Sequence, residues 1–243
     1  MQNSAPYILE ETGGFAVIFK PPKMHSVPVG NKNNDTQLEW FASQSPVFDL
    51  VHRLDFETHG LVLAARNEKI FQFFKVLQAN GDFVKEYSAI CVHTNTPVNP
   101  SAPIPNYTTF PPPPALSGLN PSKEKPLIID SFFRPFGPGR KQVRPVIDDR
   151  KKQKEIAKDR GGCYRTEITG INGNVFTARI KRGFRHQIRC HLAWAGFPIL
   201  NDELYGLNPA AGELALRAHA LFFTDPSGKR REYRVEAIKE FFL

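Results

Sequence analysis

Residues 51–65 read VHRLDFETHGLVLAA, a polar turn that runs directly into five consecutive apolar residues. The apolar run Leu61–Ala65 predicts a buried β-strand. The turn before it carries a carboxylate, Asp55, close behind the basic pair His52 and Arg53. A side chain placed there can project into a cleft, although a lone aspartate in a turn usually caps that turn. On these residues alone, both interpretations of Asp55 stay open.

Two neighbouring segments predict further regular structure. Phe15–Phe19 is an apolar run that Pro21 stops, which indicates a buried strand. A helix is predicted from near Asn67 to near Gly81, because Asn67 can cap its first turn and Gly81 suits a left-handed exit. Four apolar residues at helical spacing form its buried face: Ile70, Phe73, Phe74 and Leu77.

Strands outnumber helices in the rest of the sequence. Apolar alternation and turn residues predict six more strands: Val84–Val92, Leu127–Phe133, Cys163–Thr169, Asn174–Lys181, Ala215–Phe223 and Arg231–Glu236. A second helix is predicted over Arg185–Ala195, and a short one in the last residues. Because the strands do not alternate regularly with helices, we expect an α+β fold: a mixed, mostly antiparallel sheet with flanking helices and an active-site cleft.

Two unusual segments interrupt this pattern within what we interpret as one domain, residues 1–243. Ten of the 21 prolines lie between Pro97 and Pro126, so a proline-rich loop is predicted at about 95–126. Nine basic residues face four acidic ones between Arg140 and Arg160, which predicts a basic loop at about 140–160.

Composition narrows the class of protein. The net charge of +8 and the sequence pI near 9.4 favour a polyanionic partner such as nucleic acid. No apolar run approaches the roughly 20 residues of a membrane helix, and no secretory signal is readable at the N-terminus. The three cysteines form no CxxC pair, so we expect a reduced, cytoplasmic protein without a zinc ribbon.

A second polar motif, KRGFRHQIRCHL, occupies residues 181–192. A glycine followed by arginine, histidine and glutamine makes a cationic helix start that suits phosphate or carboxylate groups. His186 and His191 stand five residues apart without a third ligand in reach, so metal binding is the weaker interpretation.

These motifs together resemble the RluA family of RNA pseudouridine synthases. Residues 52–61, HRLDFETHGL, resemble the family signature HRLDxxTSGL, and residues 85–89, KEYSA, resemble its K-x-Y-x-A strand. Four further segments match in order: 16–21 the opening strand and its KP turn, 183–192 the GRTHQIRVHL block, 196–206 the GxPIxGDxxYG block, and 217–226 the late LHA region.

The resemblance implies an isomerase that needs no cofactor and acts on ribosomal or transfer RNA. It implies that Asp55 is the catalytic carboxylate, that Tyr87 stacks on the base and assists removal of the C5 proton, and that Arg189 pairs with Asp55. It also implies that Arg53 enters the space left by the flipped base. Further RNA-binding residues are expected among the neighbouring basic side chains: His52, Lys181, Arg182, Arg185 and His186.

Some residues depart from the family pattern and keep alternatives open. His59 replaces a serine, Phe184 and Arg185 replace an arginine and a threonine, and Asn201 replaces a glycine. A catalytically silent RNA-binding protein on the same scaffold is one alternative. A hydrolase of nucleosidic bonds is another, with Glu57 as the second carboxylate. We expect no separate S4-type RNA-binding domain, no membrane association and a monomer.

Overall fold

The chain forms two units that we describe separately. The computed structural model describes residues 5–29, 35–92, 110–111, 114, 120–147, 162–206 and 212–238. The first unit comprises Met1–Ser88 and Leu216–Ala237, and the second comprises Ala89–Ala215 and Ile238–Leu243. The first unit is therefore built from two separate stretches of chain.

The first unit is a sheet with two helices among its described residues. Its elements are β1 (Tyr7–Glu11), β2 (Phe15–Lys20), α1 (Gln37–Gln44), β3 (Asp49–Leu50), β4 (His59–Ala65), α2 (Glu68–Asn80), β5 (Val84–Ile90, whose last two residues belong to the second unit), β10 (Leu216–Thr224) and β11 (Arg230–Arg234). The strand order is β1-β2-β4-β10-β5, with β11 paired to β10 and β3 paired to β4.

An apolar cluster explains why these strands and α2 pack together. Strands β2 and β4 pair antiparallel from Phe15 opposite Ala65 to Lys20 opposite Gly60, and every residue of both strands is buried. Aromatic rings dominate the cluster beside them, with Phe15 edge-on to Phe74 at 5.7 Å between ring centroids. Burying rings of this size supplies most of the favourable free energy of such a unit.

The second unit is an antiparallel sheet that packs against one helix. Its elements are β6 (Leu127–Phe136), β7 (Gln142–Val146), β8 (Tyr164–Asn172), β9 (Val175–Ile180) and α3 (Gln187–Trp194). The strand order is β9-β8-β6-β7, and each of the three pairs is antiparallel. All eight residues of α3 are buried.

The predicted α+β class with a mostly antiparallel sheet is confirmed. In the first unit, β4 and β10 pair in parallel. Helix α2 has Asn67 as its N-cap and Gly81 as its C-cap at φ 80°, as the sequence predicts. Helix α1 and strand β1 were not predicted. A capping box of Thr36 and Glu39 begins α1, and that T-x-x-E pattern is a readable signal in the sequence.

The predicted start of α3 at Arg185 is wrong by two residues. His186 adopts the left-handed conformation, with φ 56°, so the helix begins at Gln187. The predicted basic loop at about 140–160 is wrong in its first part, because Gln142–Val146 forms β7 paired with β6. Residues 148–160 and the last five residues lie outside the described residues, as does most of the proline-rich loop. In the described part of the proline-rich loop, the ring of Phe110 lies 4.5 Å from the Arg144 guanidinium, and the Pro111 carbonyl accepts a hydrogen bond from Trp194.

The three cysteines are unpaired thiols. Cys91 and Cys190 are buried, whereas Cys163 is exposed just before β8. Across the described residues, no helix combines the length and the apolar character that crossing a membrane requires.

Candidate active site

The turn that carries Asp55 is fixed at its backbone by a buried serine. Ser26 Oγ donates to the Leu54 carbonyl at 2.9 Å and accepts from the Leu54 N–H at 3.1 Å. On the other side, the Thr58 N–H donates to the Asp55 carbonyl at 3.1 Å. These bonds restrain the backbone before and after Asp55, while its side chain stays half-exposed.

A buried lysine ties this turn to the loop that follows β2. Lys20 is 0% exposed, and its Nζ donates to the carbonyls of Pro21 at 2.9 Å, Met24 at 2.7 Å and Phe56 at 3.1 Å. Three carbonyls match the three N–H donors of an ammonium group. Burial lowers the pKa of Lys20 to about 7, against the opposing effect of the negative charges of Asp55 and Glu57.

Tyr87 lies on β5 within electrostatic reach of Asp55. Burial, and secondarily the negative charge of Asp55, raise the pKa of the Tyr87 hydroxyl far above its ordinary value. The hydroxyl is therefore protonated at neutral pH. Since Asp55 influences both Tyr87 and Lys20, these three side chains belong to one electrostatic environment in the first unit.

The two histidines that flank Asp55, His52 and His59, pack against other residues of the first unit. His52 Nε2 accepts from the Leu63 N–H at 3.2 Å, which ties the turn to β4. Burial, then the charges of Lys85 and Lys75, lower the pKa of His52 well below its ordinary range, so its ring is neutral. His59 is buried, and this burial lowers its pKa to about 3. RNA contact by His52 stays a prediction.

Arg189 forms a buried ion pair inside the second unit. Its Nε lies 2.8 Å from Asp202 Oδ2 and its Nη2 lies 2.7 Å from Asp202 Oδ1. Asp202 also accepts from the backbone N–H groups of Leu204 and Tyr205, at 2.9 Å and 3.0 Å. Sequence reasoning missed Asp202 as a partner, although the GxPIxGDxxYG block contains it.

The predicted RNA-binding cations fall into two places. Arg53 is exposed in the first unit, and Lys181, Arg182 and Arg185 are exposed in the second. His186 is half-buried, with Nδ1 3.2 Å from the Tyr205 hydroxyl. The structure thus brings Asp55, Tyr87, Arg53 and His52 into the first unit and the other predicted site residues into the second. The pairing of Asp55 with Arg189 stays a prediction.

The described residues offer no ready metal centre. They contain no group of three or more His, Cys, Asp or Glu side chains that could hold a metal ion. Both ring nitrogens of His191 lie within hydrogen-bond distance of hydroxyls, those of Ser131 at 2.9 Å and Thr166 at 2.8 Å. The pKa of His191 is lowered by burial to about 3, which marks it as a neutral structural residue.

Comparison with known proteins agrees with the fold and the motifs. A family model described as RNA pseudouridylate synthase matches residues 14–194. A ribosomal large subunit pseudouridine synthase C of Rickettsia prowazekii is 27% identical, over 98% of this chain and 69% of that protein. An uncharacterized RNA pseudouridine synthase of Mycoplasma pneumoniae is 29% identical, over 82% of this chain and 55% of that protein.

A solved structure supports the same fold. The human RNA pseudouridylate synthase domain containing 1 superposes with a TM-score of 0.65 at 16% identity, covering 96% of this chain and 83% of that one. The fold and the matched motifs define an isomerase that acts on RNA. This chain belongs to the RNA pseudouridylate synthase family, and within it to the RluA type.

Proposed function

We propose that the protein converts specific uridines of ribosomal or transfer RNA to pseudouridine, with Asp55 as the essential carboxylate. The observation that carries the proposal is the placement of Asp55. Its turn is fixed by Ser26 and Lys20, and its charge acts on Tyr87, within the residues that the family model matches. The names of the Rickettsia relatives make ribosomal RNA the first substrate to try.

The reaction is an isomerisation with a simple balance of bonds. The bond between C1′ and N1 breaks, the uracil turns, and C1′ bonds to C5 while C5 loses its proton and N1 gains one. No electron acceptor or group donor is needed. The base must leave its stack to reach the enzyme, which costs a few kcal/mol and favours loops or distorted helices.

The proposed roles of Asp55 and Tyr87 follow from their surroundings. The carboxylate of Asp55 can attack C1′ directly or assist a glycal route, and it lies within electrostatic reach of Lys20. The protonated hydroxyl of Tyr87 is unsuited to act as a phenolate base. We therefore assign Tyr87 to stacking on the uracil, with its hydroxyl relaying the C5 proton.

The resemblance assigns Arg189 to keeping Asp55 ionised. The same guanidinium holds Asp202, so an Arg189→Ala variant would lose both activity and stability. Arg53 is proposed to fill the space left by the flipped uridine, because it is exposed two residues before Asp55.

The test is tritium release from transcripts labelled at uracil C5, with ribosomal and transfer RNA side by side. Wild type should release tritium and form pseudouridine, and Asp55→Asn should release none. Glu57→Gln is the matched control, because it removes a carboxylate from the same turn and should stay active. Free uracil in the digest, or an inactive Glu57→Gln, would favour the hydrolase. Salt-sensitive RNA binding without any release would indicate a silent RNA-binding protein.

A further inference from the structure

A pair of aromatic rings, of which Phe56 is exposed and His25 is half-buried, lies next to Asp55. The ring centroids of His25 and Phe56 are 4.6 Å apart with planes inclined by 38°, and both residues belong to the first unit. Phe56 is 39% exposed although it directly follows Asp55. Consecutive Cα atoms are about 3.8 Å apart, so the pair begins one residue from the proposed catalytic carboxylate.

The backbone on both sides of this aromatic pair is held by the buried polar groups described above. Lys20 binds the carbonyls of Phe56 and Met24, which precedes His25. The His25 carbonyl accepts from the Gln37 N–H at 2.9 Å at the start of α1. The rings are thus presented on a fixed backbone, which reduces the entropy lost when a ligand stacks on them.

Two cations lie near the aromatic pair in the sequence. Lys23 and Arg53 are both exposed, and each lies within three residues of one of the two rings. Lys23 has a φ of 57°, in the left-handed region that glycine adopts without strain. At this φ, a lysine carries backbone strain that a glycine would avoid. Because Lys23 is exposed, its ammonium group can contact a phosphate.

Accessible aromatic rings with cations nearby are the features that proteins use to bind single-stranded RNA. Bases stack on phenylalanine and histidine rings irrespective of sequence, while lysine and arginine contact the phosphates. Phe56 is 39% exposed while it packs on His25, so part of this residue stays accessible to a ligand.

We propose that His25 and Phe56 form a stacking surface for an RNA base adjacent to the uridine bound at Asp55. This inference rests on the proposed function and adds to it a subsite for the flanking nucleotide. Lys23 and Arg53 contact the phosphates on either side of that nucleotide. The subsite selects for an unpaired, accessible neighbour rather than for a particular base.

The first test compares three single variants in the inactive Asp55→Asn background. Phe56→Leu keeps apolar volume and removes the aromatic face, whereas Phe56→Tyr keeps that face. Phe48→Leu is the matched control, because Phe48 is 47% exposed and pairs with Phe71 at 5.6 Å, elsewhere in the first unit. Binding of fluorescein-labelled octauridylate is measured by anisotropy, and the melting temperature of each variant is recorded.

Phe56→Leu should raise Kd about tenfold, within the range found for removing one base–aromatic stack. Phe56→Tyr and Phe48→Leu should bind as the parent does, and all melting temperatures should agree. An unchanged Kd for Phe56→Leu, or an equal loss for Phe48→Leu, would overturn the proposal. A lower melting temperature with unchanged Kd would make the pair a purely structural contact.

A second measurement separates this inference from the proposed function. In the active background, Phe56→Leu should raise KM for the RNA about tenfold and leave kcat within a factor of about two. If wild type releases no tritium yet Phe56→Leu weakens octauridylate binding, the stacking surface stands and the proposed function fails. If kcat falls and KM does not change, Phe56 acts on the chemistry and the stacking proposal is wrong.

Discussion

Lys20 is the residue on which the geometry of the Asp55 turn depends most directly. Replacing it by methionine removes three hydrogen bonds and the cation beside Asp55, while it also relieves the cost of burying a charge. We expect Lys20→Met to lower kcat at least about tenfold, since hydrogen bonds to charged groups contribute about 1.5–3 kcal/mol each. The check is tritium release alongside urea unfolding; full activity would contradict the prediction.

The same residue predicts a pH dependence of stability. The pKa of Lys20 is lowered from 10.5 in the unfolded chain to about 7 in the folded protein. Between these pH values the unfolded chain binds more protons, so the contribution of Lys20 to the free energy of unfolding rises with pH and is constant below about pH 7. Wild type should therefore gain stability relative to Lys20→Met between pH 7 and pH 9, as urea midpoints would show. A stability difference between wild type and Lys20→Met that does not change with pH would refute the lowered pKa of Lys20.

Single residues also mark the limit of sequence reasoning. The patterns around Asp55, Tyr87 and Arg189 were readable because each lies inside a motif. The bonds from Ser26 to Leu54, and from Lys20 to Phe56, join residues 28 and 36 positions apart. No periodicity encodes a pair of that kind, because only the folded β2 and β4 bring the two loops together.

At the level of elements, the parallel contact between β4 and β10 depends on one glycine. Gly60 has φ 126° and faces Ala218, whose carbonyl oxygen would lie 2.2 Å from an added Cβ. Gly60→Ala should destabilise the first unit by more than about 3 kcal/mol, since backbone strain adds to the clash. Gly13→Ala is the control, because nothing lies within 4 Å of its Cβ position. Equal melting temperatures for the two variants would contradict this.

The Arg189–Asp202 ion pair joins helix α3 to the following turn. Because the pair is buried, breaking it should strongly lower the free energy of unfolding. Asp202→Ala should cost about 3–5 kcal/mol, because it leaves a buried guanidinium without that carboxylate. Arg165 and Asp130 form a similar bidentate pair at 2.9 Å and 2.7 Å, but their side chains are 58% and 36% exposed. Arg165→Ala should therefore cost about 1 kcal/mol or less. Chemical unfolding gives the free energy of unfolding of both variants. Similar decreases for Asp202→Ala and Arg165→Ala would contradict the prediction.

Helices show where the sequence predicts structure and where it does not. The amphipathic spacing and both caps of α2 were readable, and the helix forms as predicted. All eight residues of α3 are buried, including the polar Gln187, Arg189 and His191, so its polar residues do not mark a solvent-facing side. The left-handed His186 sets the first residue of α3, and its ring contacts the hydroxyl of Tyr205, 19 residues away, a contact that no local pattern in the sequence encodes.

For the whole molecule, the charge of +8 predicts RNA binding that weakens with salt. If Lys181 and Arg182 contact phosphates, changing both to glutamine should reduce the slope of log K against log salt by about 0.7 per contact on single strands. Lys69 and Lys75, both exposed on α2, give a control variant with the same loss of charge. Filter binding at several salt concentrations distinguishes the two; identical slopes would place the RNA contact elsewhere.

The distribution of the thiols has a practical consequence for experiments on RNA binding. Cys91 and Cys190 are buried, so neither thiol is accessible to a reagent in the folded chain. Cys163 is the exposed thiol of the three. A maleimide dye should therefore couple at one known position in the native chain, and energy transfer from labelled RNA would report docking without any engineered mutation.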